Sequence, residues 1–172
     1  MEALRQVEEW PVGAAAVGVT DATAEAGTTG DKAATFPWAS VTKLLTALAA
    51  LVAAEEGVVE LDEPAGPPGS TVRHLLAHAS GLPPEGEAPI AQPGTRRIYS
   101  NAGFELLARV IEDRGEMPFS DYLRAAVLEP LALGASLDGS PASGANGTLD
   151  DLLVLGRELL APRLIGDRKS VV

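Results

Sequence analysis

The chain has 172 residues, of which 46% are hydrophobic and 22% charged, the composition of one folded domain and not of a disordered or fibrous chain. Lys and Arg number 13 against 24 Asp and Glu, a net charge of −11; such a polyanion is repelled by phosphate backbones and anionic lipid surfaces, which excludes general nucleic-acid binding. Cysteine is absent, so disulfides, zinc–thiolate sites and thiol catalysis are excluded and any nucleophile is an oxygen or an amine.

Aromatic residues make up 4% of the chain, and Ala and Leu carry the apolar load, which predicts close helix packing on small side chains. The opening Met1-Glu2-Ala3-Leu4-Arg5-Gln6-Val7-Glu8-Glu9-Trp10 has no basic stretch followed by an apolar one; a cytoplasmic location is the expectation. The longest apolar run falls within Leu44 to Ala54, well short of the roughly 20 residues that span a bilayer.

In chain order, Ala14 to Thr20 reads as a buried strand, Asp21-Ala22 as a turn, and Thr23 to Thr29 as a weaker partner strand. Phe36-Pro37-Trp38 is an extended approach, because a residue before proline avoids the helical region. Ser40 to Glu56 suits a helix that is apolar nearly all round, with Gly57 at its C-cap. Thr71 to His78 reads as a short helix, and Pro83 to Gly94 as a long Pro- and Glu-containing loop of the kind that forms a binding rim, its Glu85 and Glu87 read as solvated. Asn101 is placed to cap a helix from Ala102 to Arg114, whose Leu106, Leu107, Val110 and Ile111 share one face. Phe119 to Leu128 is a further helix. The Ala-Gly-Ser stretch from Ala132 to Gly147 reads as a surface loop. Thr148, with Asp151 three residues on, is a capping box for a helix from Leu149 to Leu160. Two strands followed by helices argue an α+β fold.

Three patterns can carry chemistry. In Ser40-Val41-Thr42-Lys43 a hydroxyl and an amine lie one helical turn apart on one side. Serine needs a base to remove its proton, and an amine serves only when neutral, which burial and the positive helix end favour. The Ser40 backbone N–H could also serve an oxyanion. Alone, the pattern equally suits an N-cap serine and a snorkelling lysine. In Tyr99-Ser100-Asn101 a phenol can pass a proton to or from a serine where a cation favours phenolate; a buried tyrosine before a helix cap is the plain alternative. His74 and His78 stand four apart, but no carboxylate follows His74 as a zinc protease requires, so metal binding is not expected and a backbone-bonding role at a helix end is.

The order of the patterns is more specific than any one of them. Ser40-Val41-Thr42-Lys43 is followed by Glu56-Gly57-Val58-Val59-Glu60-Leu61-Asp62, then His74-Leu75-Leu76-Ala77-His78-Ala79-Ser80-Gly81-Leu82, then Tyr99-Ser100-Asn101. This series resembles the serine β-lactamase-related family of class C β-lactamases, D-amino-acid carboxypeptidases and related esterases, over roughly residues 10 to 165. Glu129-Pro130-Leu131 and the helix after Thr148 fit the same pattern.

The resemblance implies a penicillin-binding-protein/β-lactamase-like α+β fold and an acyl-serine hydrolase that uses no cofactor and no metal. Its substrate would be a small ester, amide or β-lactam, with no nucleic acid or membrane partner. Ser40 would be the acylated nucleophile and Lys43 its hydrogen-bonded partner and base. Tyr99 would relay the proton, and Asn101 would orient Lys43 and the substrate carbonyl. Which of Lys43 and Tyr99 is the base stays open. The family's third motif, a Lys or His shortly before Gly on a C-terminal strand, has no counterpart after Leu160, and the tail 162–172 is too short to hold it. Residues 1–172 are therefore expected to form the N-terminal portion of one hydrolase domain, with the C-terminal strands of the sheet absent and supplied by a missing segment or a complementing chain. The alternative is a catalytically incompetent fragment or relative that acts as a binding or partner protein.

Overall fold

A computed structural model describes residues 2–166; the last six residues of the 162–172 tail lie outside it. After a 3₁₀ turn at Glu2–Glu9, strands β1 (Ala16–Thr20) and β2 (Glu25–Gly30) form an antiparallel hairpin with Ala16 opposite Gly30. The turn between them is held by the Asp21 carboxylate, which accepts the backbone N–H groups of Thr23 and Ala24, an arrangement that short acidic side chains favour. Helix α5 (Leu149–Leu160) packs on β1. Its Leu153 side chain seats against Gly18, where a Cβ would lie 3.0 Å from both leucine methyls. Thr148 and Asp151 form the expected capping box. Asp151 also accepts the Gly134 N–H, so the cap anchors the preceding loop as well.

The core lies between α1 (Thr42–Glu55) and α3 (Asn101–Gly115), closed below by α4 (Phe119–Leu123) and the π-helical turn Arg124–Leu128 that continues it. Leu45, Leu107, Ile111, Leu123 and Val127 are all fully buried there. Ala49, Ala50 and Ala53 are buried on α1, and their small side chains let the helices approach closely, as the composition predicts. Helix α1 is buried on most of its circumference, although Leu44 remains 41% exposed. No helix among the described residues is long and apolar enough to cross a membrane.

Several local readings are corrected. The helix does not run from Ser40: Ala39–Val41 form a 3₁₀ turn, Ala39 takes φ 45°, and regular α1 starts at Thr42. Ser100, not Asn101, caps α3, its hydroxyl accepting the Gly103 N–H at 2.9 Å, so Asn101 is the first residue of the helix. The 132–147 stretch is not a surface loop. It contains β4 (Ser136–Leu137) and β5 (Ala145–Gly147), and β5 lies between β4 and β3 (Phe36–Pro37) in a second antiparallel sheet. Ala142 and Ala145 are buried.

The polar residues of α1 explain that docking. Thr42 Oγ1 accepts the Ala145 N–H at 3.0 Å, and Thr46 Oγ1 donates to the Pro141 carbonyl at 2.7 Å. The two threonines stand one turn apart on the same face and satisfy backbone groups that a wholly apolar helix would leave orphaned. They thereby hold residues 141–145 against the start of α1.

Candidate active site

Four segments meet at Ser40. The 3₁₀ turn carries the serine, and α1 carries Lys43. His78, just after the short helix α2 (Val72–Leu76), bonds the Ser100 N–H; Tyr99 precedes α3 and Asn101 opens it; the 140–142 turn supplies a backbone carbonyl. All four residues singled out in the sequence come together. The Tyr99 hydroxyl donates to Ser40 Oγ at 2.6 Å, and Lys43 Nζ stands 3.4 Å from the same oxygen. Lys43 also donates to Asn101 Oδ1 at 2.6 Å and to the Ala142 carbonyl at 2.8 Å. These three acceptors match the three hydrogens of an ammonium group. The lysine is 6% exposed, whereas Tyr99 is 48% exposed, so the amine is buried and the phenol side chain reaches solvent.

Lys43 Nζ lies 4.6 Å from the Tyr99 ring centroid. The amine beside it and the Ser40 hydroxyl hold the Tyr99 phenol below its ordinary range, because both favour the phenolate.

The Lys43 contacts are themselves supported. Ser140 Oγ donates to Glu105 of α3 at 2.8 Å and accepts the Ala142 N–H at 3.1 Å, which fixes the carbonyl that Lys43 meets. A backbone carbonyl leaves no mark in a sequence, and Ala142 was not foreseen. Thr42 and Thr46 were the available signal, being polar residues in an apolar helix beside Lys43.

The histidines bond backbone groups, as read from the sequence. His74 Nδ1 accepts the Thr71 N–H at 3.2 Å within a capping box at the start of α2. His78 is buried, takes φ 57°, and accepts the Ser100 N–H at 3.1 Å through Nδ1. Its ring stacks on Tyr99 with centroids 4.8 Å apart. Burial first, and the positive charges of Arg97 and Lys43 second, lower the His78 pKa, so the neutral ring that can accept a hydrogen bond is favoured.

Glu85 is exposed, as read from the sequence, but it also has a partner. Its carboxylate accepts from Asn101 Nδ2 at 2.6 Å. Glu87 points elsewhere, toward Arg109 at 3.9 Å. No group of three or more His, Asp or Glu residues suited to a metal occurs among the described residues.

The site thus places a serine on a turn before a buried helix, with a lysine one turn on and a tyrosine from a distant segment. The chain belongs to the β-lactamase family, whose profile matches residues 7–169. It is similar to a β-lactamase from Mycobacterium bovis of known structure, with 50% identity and a TM-score of 0.93 over 96% of this chain and 62% of that one. It is 28% identical over 131 residues to penicillin-binding protein 4* of Bacillus subtilis, covering 57% of this chain and 29% of that protein. A D-stereospecific amidohydrolase from Streptomyces shares the fold, with a TM-score of 0.81 at 21% identity over 96% of this chain and 73% of that one. The chain thus spans less than two thirds of the Mycobacterium and Bacillus proteins. Its α+β fold is of the penicillin-binding-protein/β-lactamase type.

Proposed function

We propose that the protein is an acyl-serine hydrolase acting on a small ester, amide or β-lactam. The contact that carries this reading is the 2.6 Å approach of the Tyr99 oxygen to Ser40 Oγ, with Lys43 bridging Ser40 and Asn101 behind it. Tyr99 is the base in this scheme, since it is the closer group and its phenolate is favoured by the adjacent cation. Tyr99 takes the Ser40 proton as Oγ bonds to the acyl carbon, and the charge of the tetrahedral intermediate falls on the former carbonyl oxygen. The Ser40 N–H is one donor for that oxygen, because N–H groups in the first turn of a helical segment have no carbonyl one turn back. Tyr99 then passes the proton to the leaving group, and water attack with the same relay regenerates Ser40.

Mass spectrometry after exposure to a fluorophosphonate or a penicillin tests the reading. A single adduct on Ser40, much slower to form at neutral pH in Lys43→Ala, is expected. A folded sample that takes no adduct from either probe would overturn it. The Glu85 carboxylate on Asn101 favours a second reading, a binding protein without turnover. In that case labelling fails while ligand still raises the melting temperature.

A further inference from the structure

Asn101 has one amide face for Lys43 and one for the outside. Its Oδ1 is committed to the lysine nitrogen at 2.6 Å, which leaves Nδ2 as the outward donor. That donor already meets Glu85 Oε1, also at 2.6 Å. A substrate carbonyl brought to Asn101 therefore meets a carboxylate that competes for the same hydrogen.

The position of Glu85 is built and not a chance contact of a long side chain. The two residues before it, Pro83 and Pro84, have φ set by their rings. The Pro83 carbonyl accepts the Ser100 hydroxyl at 2.6 Å. The Pro84 carbonyl accepts the N–H groups of Asn101 at 3.0 Å and Ala102 at 3.3 Å. The backbone just before Glu85 is thus tied to the N-cap and first turn of α3. Gly86 then turns the chain away at φ 92°, a conformation suited to glycine. Glu85 makes no ion pair among the described residues, and it is exposed.

We infer that Glu85 is a specificity-determining residue that selects acyl donors bearing a free ammonium group close to the acyl carbon. A carboxylate on the outward face of Asn101 receives an N–H donor, and best a cation, through a charge-assisted hydrogen bond. It disfavours a neutral carbonyl, which adds only a second acceptor, and an anionic substituent more strongly still. The surrounding charge of the chain, −11 in all, acts in the same direction. The inference rests on Ser40 as the acylated residue.

The test compares kcat/KM for alanine p-nitroanilide and N-acetylalanine p-nitroanilide, both enantiomers of each, in the wild type and in Glu85→Gln. The free amine should be preferred by about tenfold, as expected for a hydrogen bond to a charged group at a partly solvated site. The preference should shrink with added salt and nearly vanish in Glu85→Gln. Glu85 is exposed, so matching melting temperatures will show that the variant keeps its fold. An unchanged preference in Glu85→Gln overturns the inference. So does an equal rise for both substrates, which would make Glu85 an occupant that any substrate displaces. A binding arm is independent of turnover: NMR titration of Ser40→Ala with alaninamide and N-acetylalaninamide, with and without Glu85→Gln. A preference there for alaninamide that Glu85→Gln removes, without Ser40 labelling in the wild type, sinks the hydrolase reading and keeps the Glu85 selectivity. Labelling without that preference does the reverse.

Discussion

The Tyr99 oxygen is closer to the Ser40 oxygen, at 2.6 Å, than is the Lys43 nitrogen, at 3.4 Å, although the lysine is only one helical turn from the serine. As the phenolate, Tyr99 is the better-placed proton acceptor, and the amine is engaged with Asn101 and Ala142. Tyr99→Phe should therefore slow acylation of Ser40 by about 10²–10⁴-fold, the usual value of a positioned acid–base group. Tyr99 is half exposed, so the melting temperature should hardly move. Labelling rates followed by intact-mass spectrometry check this, and a Tyr99→Phe rate near that of the wild type would transfer the base to Lys43.

The pH profile carries a separate prediction. The phenolate is the reactive form, and Lys43 and the Ser40 hydroxyl lower the Tyr99 pKa. More base is then present at a given pH, and acylation should climb along a limb centred below the ordinary phenol value of about 10. Removing the cation in Lys43→Met should move that limb to higher pH. A limb that stays in place would assign it to another group.

His78 supports Tyr99 from beneath. Its ring stacks on the phenol, and its Nδ1 is the acceptor for the buried Ser100 N–H. His78→Ala leaves that N–H unpaired, which costs about 1–3 kcal/mol, and should slow acylation through the freed tyrosine ring. The His78 pKa is lower in the fold than in the unfolded chain. The unfolded state consequently binds more protons just below pH 6.5, and the associated stability is complete above about 6.5 and lost as the pH falls from there toward the folded pKa. Urea melts at pH 7 and pH 5.5 should show this loss in the wild type and a smaller one in His78→Ala.

Gly147 lies where a Cβ would stand 2.5 Å from Cζ2 of Trp38. Trp38 is buried and donates its backbone N–H to the Ala145 carbonyl at 2.8 Å, two residues ahead of Ser40. Gly147→Ala should push the indole aside, destabilise by about 1–3 kcal/mol as overpacking does, and lower the Ser40 labelling rate at temperatures where the fold persists. Thermal melts together with labelling at 25 °C test both halves.

Sequence patterns reached the parts of the protein governed by near neighbours. The pairing of Ser40 with Lys43, the capping box at Thr148 and the buried character of α1 follow from helical periodicity and from hydrogen bonds that close within one turn. The ordered motifs carried the family. Tertiary structure decided the rest: that Tyr99 and Asn101, 59 and 58 residues from their partners, arrive at the serine and lysine, and that Ala142, 99 residues away, completes the lysine's acceptors. It also decided that the 132–147 stretch forms paired strands of two and three residues, too short to show any alternation, and that Glu85 lies against Asn101. The division has one physical cause. A contact within a turn is written in the spacing of side chains, whereas a backbone carbonyl or a loop carboxylate acquires its partner only when distant segments pack, and no local pattern records that.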